Sequence, residues 1–241
     1  MLAVACWKWG TTFGPEYVNR LRAALEKHLH IPHELVCVTD DPSGIDSRVR
    51  IVPMPTTYAS TPRCRRRMQI FSQDFARSIG ARILSIDLDV VIVDDITPLV
   101  DRPEPIVCWL VGYAQVYSGS FHLMDAGVLD ELWHLYRAQP ETFPVMVQEK
   151  GCPSDQAMLN WFLQDRPIAS WTGSDGLVTY FGEGYEKLEF NGVGPTRQGL
   201  PKGARIVVLG SADKAVMDEG RFSWVREHWN ALPGEASTCP Q

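Results

Sequence analysis

Two carboxylates lie inside an otherwise apolar run, and their spacing is the clearest chemical feature of the sequence. Asp87 and Asp89 interrupt residues 83–93, where every other residue except Ser85 is aliphatic. Ionised aspartates in such a setting must be ion-paired, hydrogen-bonded or bound to a cation. Side chains two positions apart in an extended chain project to the same side, so the two carboxylates are predicted to converge.

A converging carboxylate pair suits a hard divalent cation. Mg²⁺ or Mn²⁺ prefers oxygen ligands and completes its shell with water and substrate phosphates. A nucleotide diphosphate is the natural third partner, because the cation would neutralise the diphosphate as it leaves. The alternative is a turn in which Asp87 and Asp89 cap the next segment. Asp94 and Asp95 are predicted to be only turn and capping residues.

The same string also has the D-x-D-x-V pattern of haloacid-dehalogenase-like phosphatases. In those enzymes the aspartate pair lies near the start of the catalytic domain, and a later acidic G-D-x-x-x-D type motif completes the metal site. Here a long stretch of predicted strands and helices comes first, and no such later motif follows. A phosphatase is therefore the less favoured alternative.

Composition and charge narrow the class of protein. The 241 residues are 45% hydrophobic and 22% charged, as in an ordinary globular protein that folds alone. The formal net charge of -6 argues against a nucleic-acid partner, whose binding requires neutralised phosphates. The 6 cysteines include no C-x-x-C pair, which argues against a zinc site or a disulfide framework. Neither a signal peptide nor a membrane span is recognisable, so a cytoplasmic location is expected.

Strands and helices alternate through the first half of the sequence, which is typical of a mostly parallel sheet covered by helices. No repeat and no Gly/Ser linker divides the chain, so one α/β domain with a loop-rich second half is predicted. The predicted strands cover residues 2–7, 34–39, 49–52, 82–86, 106–111 and 117–124, and the predicted helices cover 15–30, 65–79, 126–138 and 155–163.

These motifs occur in an order that resembles GT-A glycosyltransferases, in particular the bacterial relatives of the glycogenin and lipopolysaccharide galactosyltransferase group (family 8-like). The similar segments are AVACWKWG, CVTDDPSG, RMQIFSQDFARSIGARILSIDLDVVIVDDITPL, YSGSFHLMDAG, SDQAMLNWF and RIVVLGSADK. The resemblance implies one GT-A domain over residues 1–241, with a Rossmann-like, mostly parallel central sheet flanked by helices. About 1–100 would form the nucleotide-binding half, which ends in the D-x-D motif, and about 101–241 the donor-sugar and acceptor half.

The implied activity is metal-assisted transfer of a sugar from a nucleotide-diphosphate sugar, with UDP-sugars favoured and anomeric configuration retained. Mn²⁺ or Mg²⁺ would be bound by Asp87 and Asp89, and Leu88 between them would contact the donor. The acceptor can be a saccharide, a lipid-linked molecule or a protein. If the reaction inverts instead, it requires a carboxylate base, and Asp155 is the first candidate.

The resemblance places the nucleotide at the first strand and the loop after it, so Ala5, Trp7, Trp9 and Gly10 are candidates for contacts with the base and ribose. Trp7 and Trp9 share a face if the strand continues, and either can instead be a core residue. Asp40 ends the second strand and can line the same pocket, or it can belong to a plain DDPSG turn.

Other implied donor contacts come from later segments. Arg67 lies at the head of a predicted helix, where related enzymes carry a basic residue that contacts the donor; a charge on a solvated helix face is the alternative. Ser118 and Gly119 lie where relatives have an Asn-containing turn near the donor sugar. Asp155 and Gln156 match an Asp-Gln pair that faces the anomeric carbon, although the same residues also fit the capped start of a helix.

The C-terminal segment departs from the family pattern. Relatives commonly have a strand that ends in His-Gly, with the histidine as third protein ligand of the metal, whereas this chain has Leu209-Gly210, and leucine cannot coordinate. Lys214 can reach a phosphate or can be a solvated loop residue, and Asp213 is an alternative ligand. A catalytically silent protein that only binds sugar nucleotides is therefore the main alternative to an enzyme.

Overall fold

Two β-sheets organise the part of the chain that the computed structural model describes, which comprises residues 1–55, 63–111, 115–140, 154–180, 200–209 and 214–235. The strands are β1 (Leu2–Lys8), β2 (His33–Thr39), β3 (Arg50–Pro53), β4 (Arg82–Ile86), β5 (Val90–Ile92), β6 (Ile106–Val111), β7 (Val116–Asp125), β8 (Ala169–Trp171), β9 (Leu177–Tyr180) and β10 (Ile206–Leu209). The α-helices are α1 (Pro15–His28), α2 (Gln73–Ile79), α3 (Thr97–Val100), α4 (Asp130–Ala138), α5 (Asp155–Leu163), α6 (Lys214–Glu219) and α7 (Ser223–Val225). The 3₁₀-helices are Arg63–Phe71 and Gly173–Asp175, and a π-helical turn covers Arg226–Asn230.

The larger sheet has the strand order β3-β2-β1-β4-β7-β6-β8. Strand β7 is antiparallel to β4 and to β6, and every other neighbouring pair is parallel. Parallel neighbours need crossover connections, and α1 supplies one between β1 and β2. The carboxyl ends of β1, β2 and β4 therefore meet at one edge of the sheet, which is where open α/β sheets bind ligands.

The smaller sheet has the order β5-β10-β9, with β10 antiparallel to β5 and parallel to β9. The chain passes from the larger sheet to the smaller one between β4 and β5, which is the position of the carboxylate pair. The three strands belong to the same buried cluster as α1, so the smaller sheet extends the core on that side.

The two faces of the larger sheet are both buried, which explains the nearly continuous apolar runs of its strands. Along β1 the side chains of Leu2, Val4 and Cys6 enter one cluster, together with α1 and the smaller sheet. Those of Ala3, Ala5 and Trp7 enter the other, which is covered by α2, α4 and α5. This alternation is the two-residue period of an extended chain packed on both sides.

The predicted helix over 65–79 is wrong as a single element, because the chain breaks at Ser72. A 3₁₀-helix ends at Phe71, and Ser72 adopts an extended conformation with φ -63° and ψ 129°. Its side chain then caps α2 by accepting from the Phe75 N–H. Serine competes for backbone donors in this way and so favours a new helix start over continuation. The predicted helix end at Gly80 is confirmed.

The predicted helix over 126–138 begins later than expected, at Asp130. Gly127 has φ +91°, a left-handed conformation that a helix cannot include. A Cβ at this position would lie 3.0 Å from Cγ of Gln73, so the turn also needs a residue without a side chain. The helices predicted over 15–30 and 155–163 and the strands predicted over 2–7, 34–39, 49–52, 82–86, 106–111 and 117–124 are confirmed, with small shifts at their ends.

The chain does not stay extended through the carboxylate pair, so the reason given for their convergence is wrong. Strand β4 ends at Ile86, and Leu88 and Asp89 form a bend before β5 begins. Leu88 is 3% exposed and packs into the core at this bend. The prediction of Asp95 as a turn residue is confirmed, since its carboxylate accepts from the Thr97 N–H, two residues later, at 2.8 Å.

Cys6, Cys37 and Cys108 are free thiols buried in the core. Among the described residues, no helix has the length and apolar character that crossing a membrane requires.

Candidate functional site

The candidate site lies at the carboxyl edge of the larger sheet. Asp87 follows β4 directly, Asp40 follows β2, and the Trp9–Gly10 segment follows β1. Backbone contacts join β4 to β7 here, because the Asp87 N–H donates to the Ser120 carbonyl at 3.0 Å. Segments distant in sequence are thus brought to one edge by strand order alone.

Arg67 is the centre of the site, which we call the Arg67 cluster and define as Arg67, Asp87 and Asp155. One guanidinium nitrogen, Nη1, is hydrogen-bonded to Oδ1 of Asp87, and the other, Nη2, lies 2.7 Å from Oδ2 of Asp155. The side chains of Arg67 and Asp155 are only 12% and 8% exposed. The alternative of a charge on a solvated helix face is therefore wrong for Arg67, since the arginine bridges two largely buried carboxylates.

Burial and charge act in opposite directions within the Arg67 cluster. Burial opposes a charge on Arg67, but the carboxylates of Asp155 and Asp87 outweigh it and raise the pKa of the guanidinium. Burial also raises the pKa of the Asp87 carboxyl, and Arg67 offsets this only in part. The cluster thus keeps a permanent cation beside a carboxyl group that binds a proton more readily than an exposed aspartate does.

Helix α5 presents its first residues to the cluster. Ser154 caps the helix by accepting from the Ala157 N–H at 3.0 Å, so the predicted capped helix start is confirmed. The next two residues are Asp155, which pairs with Arg67, and Gln156, whose Oε1 accepts from the Gly119 N–H at 3.0 Å. The cap and the ion pair coexist, because a helix start directs its side chains and its free N–H groups to the same side.

Gly119 lies where three elements meet. A Cβ on Gly119 would lie 3.2 Å from Cβ of Gln156 and 3.6 Å from Nη2 of Arg67. The neighbouring Ser118 is 5% exposed, and its hydroxyl oxygen accepts from the Ser120 N–H at 3.1 Å. The absence of a side chain at position 119 therefore permits the close approach of β7 to α5.

The loop after β1 contains Trp9 and Gly10, two of the residues that the resemblance assigns to the nucleotide. Gly10 has φ +59°, and its N–H donates to the Asp40 carboxylate at 3.2 Å, so the ends of β1 and β2 are joined. The guanidinium of Arg66 lies 5.7 Å from the centroid of the Trp9 ring, within the range of a cation–π contact. Trp9 and Asp40 are thus placed together at the carboxyl edge.

Two of the predicted nucleotide contacts have side chains in the core. Ala5 is fully buried, and Trp7 is 5% exposed with its ring 6.0 Å from that of Phe75. Both belong to the apolar cluster beneath α2, so the core alternative for Trp7 is confirmed. Only the backbone of β1 is left to contact a ligand at these two positions.

Asp89 lies directly against the end of β10, because the Leu209 N–H donates to the Asp89 carbonyl at 2.8 Å. The Leu209 side chain is fully buried and has no ligand atom. In the described ranges, no group of three or more His, Cys, Asp or Glu residues is arranged to hold a metal ion. The carboxylate oxygens of Asp87 and Asp89 still suit Mg²⁺ or Mn²⁺, because water molecules and substrate phosphates can complete the coordination shell of such an ion. The two residues therefore fit such an ion as a partial ligand set.

Lys214 is engaged by residues other than those of the cluster. Its Nζ lies 2.5 Å from Oδ2 of Asp218 and 4.8 Å from the centroid of the Tyr17 ring. The Tyr17 hydroxyl donates to the other carboxylate oxygen of Asp218. A phosphate that contacted Lys214 would share its ammonium group with Asp218 or displace Asp218. Asp213, the alternative metal ligand, lies outside the described residues.

Two residues around the cluster, Asn160 and His122, were not predicted from the sequence. Asn160 contacts both α5 and β7, and its position four residues after Gln156 on a helix is a signal that could have identified it. His122 is buried on β7 with its ring 5.8 Å from that of Phe71. Burial, and then the nearby Arg67, lower the pKa of His122 to about 3. It is therefore neutral at physiological pH, and no pattern in the sequence indicates this.

The comparisons with known proteins concern the fold. No protein-family model matches the sequence, and no curated relative matches it. The crystal structure of the galactosyltransferase LgtC in complex with donor and acceptor sugar analogues is similar, with a TM-score of 0.62 and 12% sequence identity. The similarity covers 97% of this chain and 98% of that chain. The predicted fold class is confirmed: the chain has a GT-A glycosyltransferase fold, with a mostly parallel central sheet flanked by helices.

Proposed function

We propose that this protein is a glycosyltransferase that moves a sugar from a nucleotide-diphosphate sugar, with UDP-sugars favoured, to a saccharide, lipid-linked or protein acceptor. The observation that carries the proposal is the Arg67 cluster, in which a largely buried arginine joins the D-x-D motif to the start of α5 at the ligand-binding edge of a GT-A fold. LgtC, which has the same fold, was crystallised with donor and acceptor sugar analogues.

Arg67 supplies the charge that a diphosphate needs. Its guanidinium is permanently cationic and presents several N–H donors in one plane, a geometry that suits phosphate oxygens. A diphosphate that enters the site would share these donors with Asp87 and Asp155. Because the cation is already fixed in place, charge developing on the departing diphosphate is stabilised without reorganisation of the site.

Asp155 and Gln156 are proposed to face the anomeric carbon. Their positions are fixed by Arg67 and Gly119, respectively, so they can hold the donor sugar in one orientation. Positioning of this kind supplies a large part of the rate in transfer reactions. Retention of configuration is part of the proposal. If the product is inverted, Asp155 is the proposed base.

Asp87 and Asp89 are the residues that would hold Mn²⁺ or Mg²⁺. When bound, such an ion would neutralise the diphosphate as a Lewis acid. With Leu209 in place of a third protein ligand, the ion would depend on the donor phosphates for the rest of its shell. We therefore expect metal and donor to bind cooperatively, with weak binding of either alone.

A silent sugar-nucleotide-binding protein is the second candidate function, and Leu209 is the observation that favours it. Like the enzyme, a silent protein of this kind is expected to bind nucleotide sugars, but it is expected to show no turnover. The phosphatase alternative gains no support, because the fold is similar to that of a glycosyltransferase and the first aspartate of the phosphatase motif, Asp87, is ion-paired with Arg67.

A thermal-shift screen tests the proposed function. UDP-glucose, UDP-galactose and GDP-mannose are each added with Mn²⁺ and with a chelator. We expect at least one nucleotide sugar to raise the melting temperature, and Mn²⁺ to increase that shift. A ligand at 100 times its dissociation constant stabilises the native state by about 2.7 kcal/mol, which such a screen detects easily.

Two variants make the screen specific. Asp89→Asn should abolish the increase caused by Mn²⁺, whereas Asp94→Asn, a matched change at an exposed turn residue, should leave it intact. The proposed function fails if no nucleotide sugar changes the melting temperature under either condition. If Mn²⁺ increases the thermal shift of Asp89→Asn as much as that of Asp94→Asn, Asp89 is not a residue of the metal site.

A further inference from the structure

Strand β7 is irregular where it approaches the Arg67 cluster. Its pairing with β6 shifts between Cys108, which faces His122, and Leu110, which faces Tyr117. Only Trp109 of β6 therefore lies opposite the four residues 118–121 of β7, and this stretch has no partner on β6 in this register. Backbone groups in such a bulge need other hydrogen-bond partners, because unpaired groups in a largely buried segment are costly.

Side chains from α5 provide hydrogen-bond partners within this stretch, at Gly119, and at its edge, at Tyr117. Gln156 accepts from the Gly119 N–H at 3.0 Å. Asn160 accepts from the Tyr117 N–H at 2.6 Å and donates to the Tyr117 carbonyl at 2.8 Å. The Asn160 amide thus pairs with Tyr117 as a neighbouring strand would, and it occupies the edge of the bulge.

Asn160 also bonds to its own helix. Its Nδ2 donates to the Gln156 carbonyl at 2.8 Å, one turn earlier in α5. The Gln156 backbone is therefore fixed by Asn160 while the Gln156 side chain is fixed by Gly119. The bulge of β7 and the first turn of α5 become one unit, whose position determines how Asp155 meets Arg67.

We infer that Asn160 is a positioning residue for the transfer reaction, which acts by holding Gln156 and Asp155 at the anomeric carbon. This inference rests on the proposed function, which assigns Gln156 and Asp155 to the donor sugar. Asn160 itself does not touch the reacting atoms. Its loss should therefore lower the turnover number and leave nucleotide affinity unchanged, because the diphosphate is bound mainly by Arg67.

The chain offers a matched control in Asn19. Asn19 is fully buried in α1, accepts from the Asp46 N–H at 2.8 Å, and donates to the carbonyls of Gly44 at 3.0 Å and Gly234 at 2.9 Å. Like Asn160, it makes one accepted and two donated bonds, all to backbone. A purely structural role for both residues predicts the same behaviour for both variants.

The experiment compares Asn160→Ala, Asn160→Asp and Asn19→Ala with the parent protein, using UDP-glucose and UDP-galactose with Mn²⁺. UDP binding is measured by calorimetry, and release of UDP, with water or added saccharides as acceptor, gives the turnover number. Amide hydrogen exchange at Gly119, followed by NMR, reports on the unit directly. Asn160→Asp keeps the size and the acceptor of the side chain, so it decides the question if Asn160→Ala does not fold.

We expect both Asn160 variants to lower turnover by roughly 10-fold to 100-fold, with UDP affinity unchanged and faster exchange at Gly119. Asn19→Ala should be less stable but should keep the parent turnover and the parent exchange rate at Gly119. Equal turnover in the Asn160 and Asn19 variants would overturn the positioning role while leaving the proposed function in place. A parent protein that neither binds nor consumes any donor would overturn both.

Discussion

Replacing Arg67 with methionine removes the cation of the cluster and keeps a side chain of similar length. Asp87 and Asp155 then face each other as buried carboxylates without their partner. Removing one member of a buried ion pair costs about 3–5 kcal/mol. The Asp87 side chain is 21% exposed, so water can solvate part of the freed charge, and we expect Arg67→Met to lower the free energy of unfolding by about 3 kcal/mol at pH 7.

The destabilisation should depend on pH in a defined direction. The pKa of Asp87 is raised in the folded protein, so the native state binds more protons than the unfolded chain just above the ordinary aspartate pKa. Stability from this group is therefore present at low pH and lost as pH rises through the folded pKa. Without Arg67 that pKa rises further, so the loss of stability should be larger at pH 7 than at pH 4.

Urea denaturation of the parent and variant at pH 4 and pH 7 measures this difference. Arg166→Met is the matched control, because Arg166 makes two hydrogen bonds of 2.9 and 3.0 Å to Glu131 at the protein surface. An exposed ion pair of this kind contributes little, so the control should stay close to the parent at both pH values. If Arg67→Met is no less stable than Arg166→Met, or loses the same stability at both pH values, the buried-cluster reasoning is refuted.

Three further predictions concern single positions. Gly119→Ala places a Cβ 3.2 Å from Cβ of Gln156 and should lower the turnover number by roughly 10-fold. Steady-state kinetics with the best donor measure this effect. Kinetics like those of the parent would show that the close approach of β7 to α5 is not needed. Leu209→His should give a Mn²⁺-dependent rise in melting temperature without any nucleotide, and no rise would remove position 209 from the metal site. His28 and His228 have ring centroids 6.2 Å apart, and burial lowers the pKa of both. As pH falls, both histidines therefore bind protons in the unfolded chain before they do so in the folded protein, so the free energy of unfolding should decrease below about pH 6.5. Changing both histidines to glutamine should make the free energy of unfolding, measured by urea denaturation, less dependent on pH in this range.

The fold was predictable because its elements carry strong local patterns. Strands such as β1 and β4 are short apolar runs next to turn residues, and α1 has a clear apolar stripe. The break at Ser72 was not predicted, because a serine within a helical pattern can be either an interior residue or a cap, and tertiary contacts decide which. The smaller sheet was also missed, since its strand pairing joins segments far apart in sequence.

The site was predictable to the level of residue types and less so in its contacts. The D-x-D motif was identified because charged residues within an apolar run need partners. Arg67 and the Asp155-Gln156 pair were identified only through the resemblance to GT-A glycosyltransferases. Their arrangement as one ion-paired cluster was not predicted. Alternation along an extended chain suggested that the two aspartates of the motif converge, whereas the backbone bends at Leu88 and the Arg67 side chain makes the connection to Asp87.

We propose that this chain consumes a nucleotide sugar at the Arg67 cluster. The most direct test incubates the protein with the nucleotide sugar that stabilises it best, Mn²⁺ and a panel of saccharide acceptors, and measures nucleoside diphosphate release. We predict multiple turnovers for the parent and for Arg166→Met, and loss of turnover for Arg67→Met and Asp155→Asn. Donor binding without release of nucleoside diphosphate, or equal release by the Arg67 and Arg166 variants, would contradict the claim.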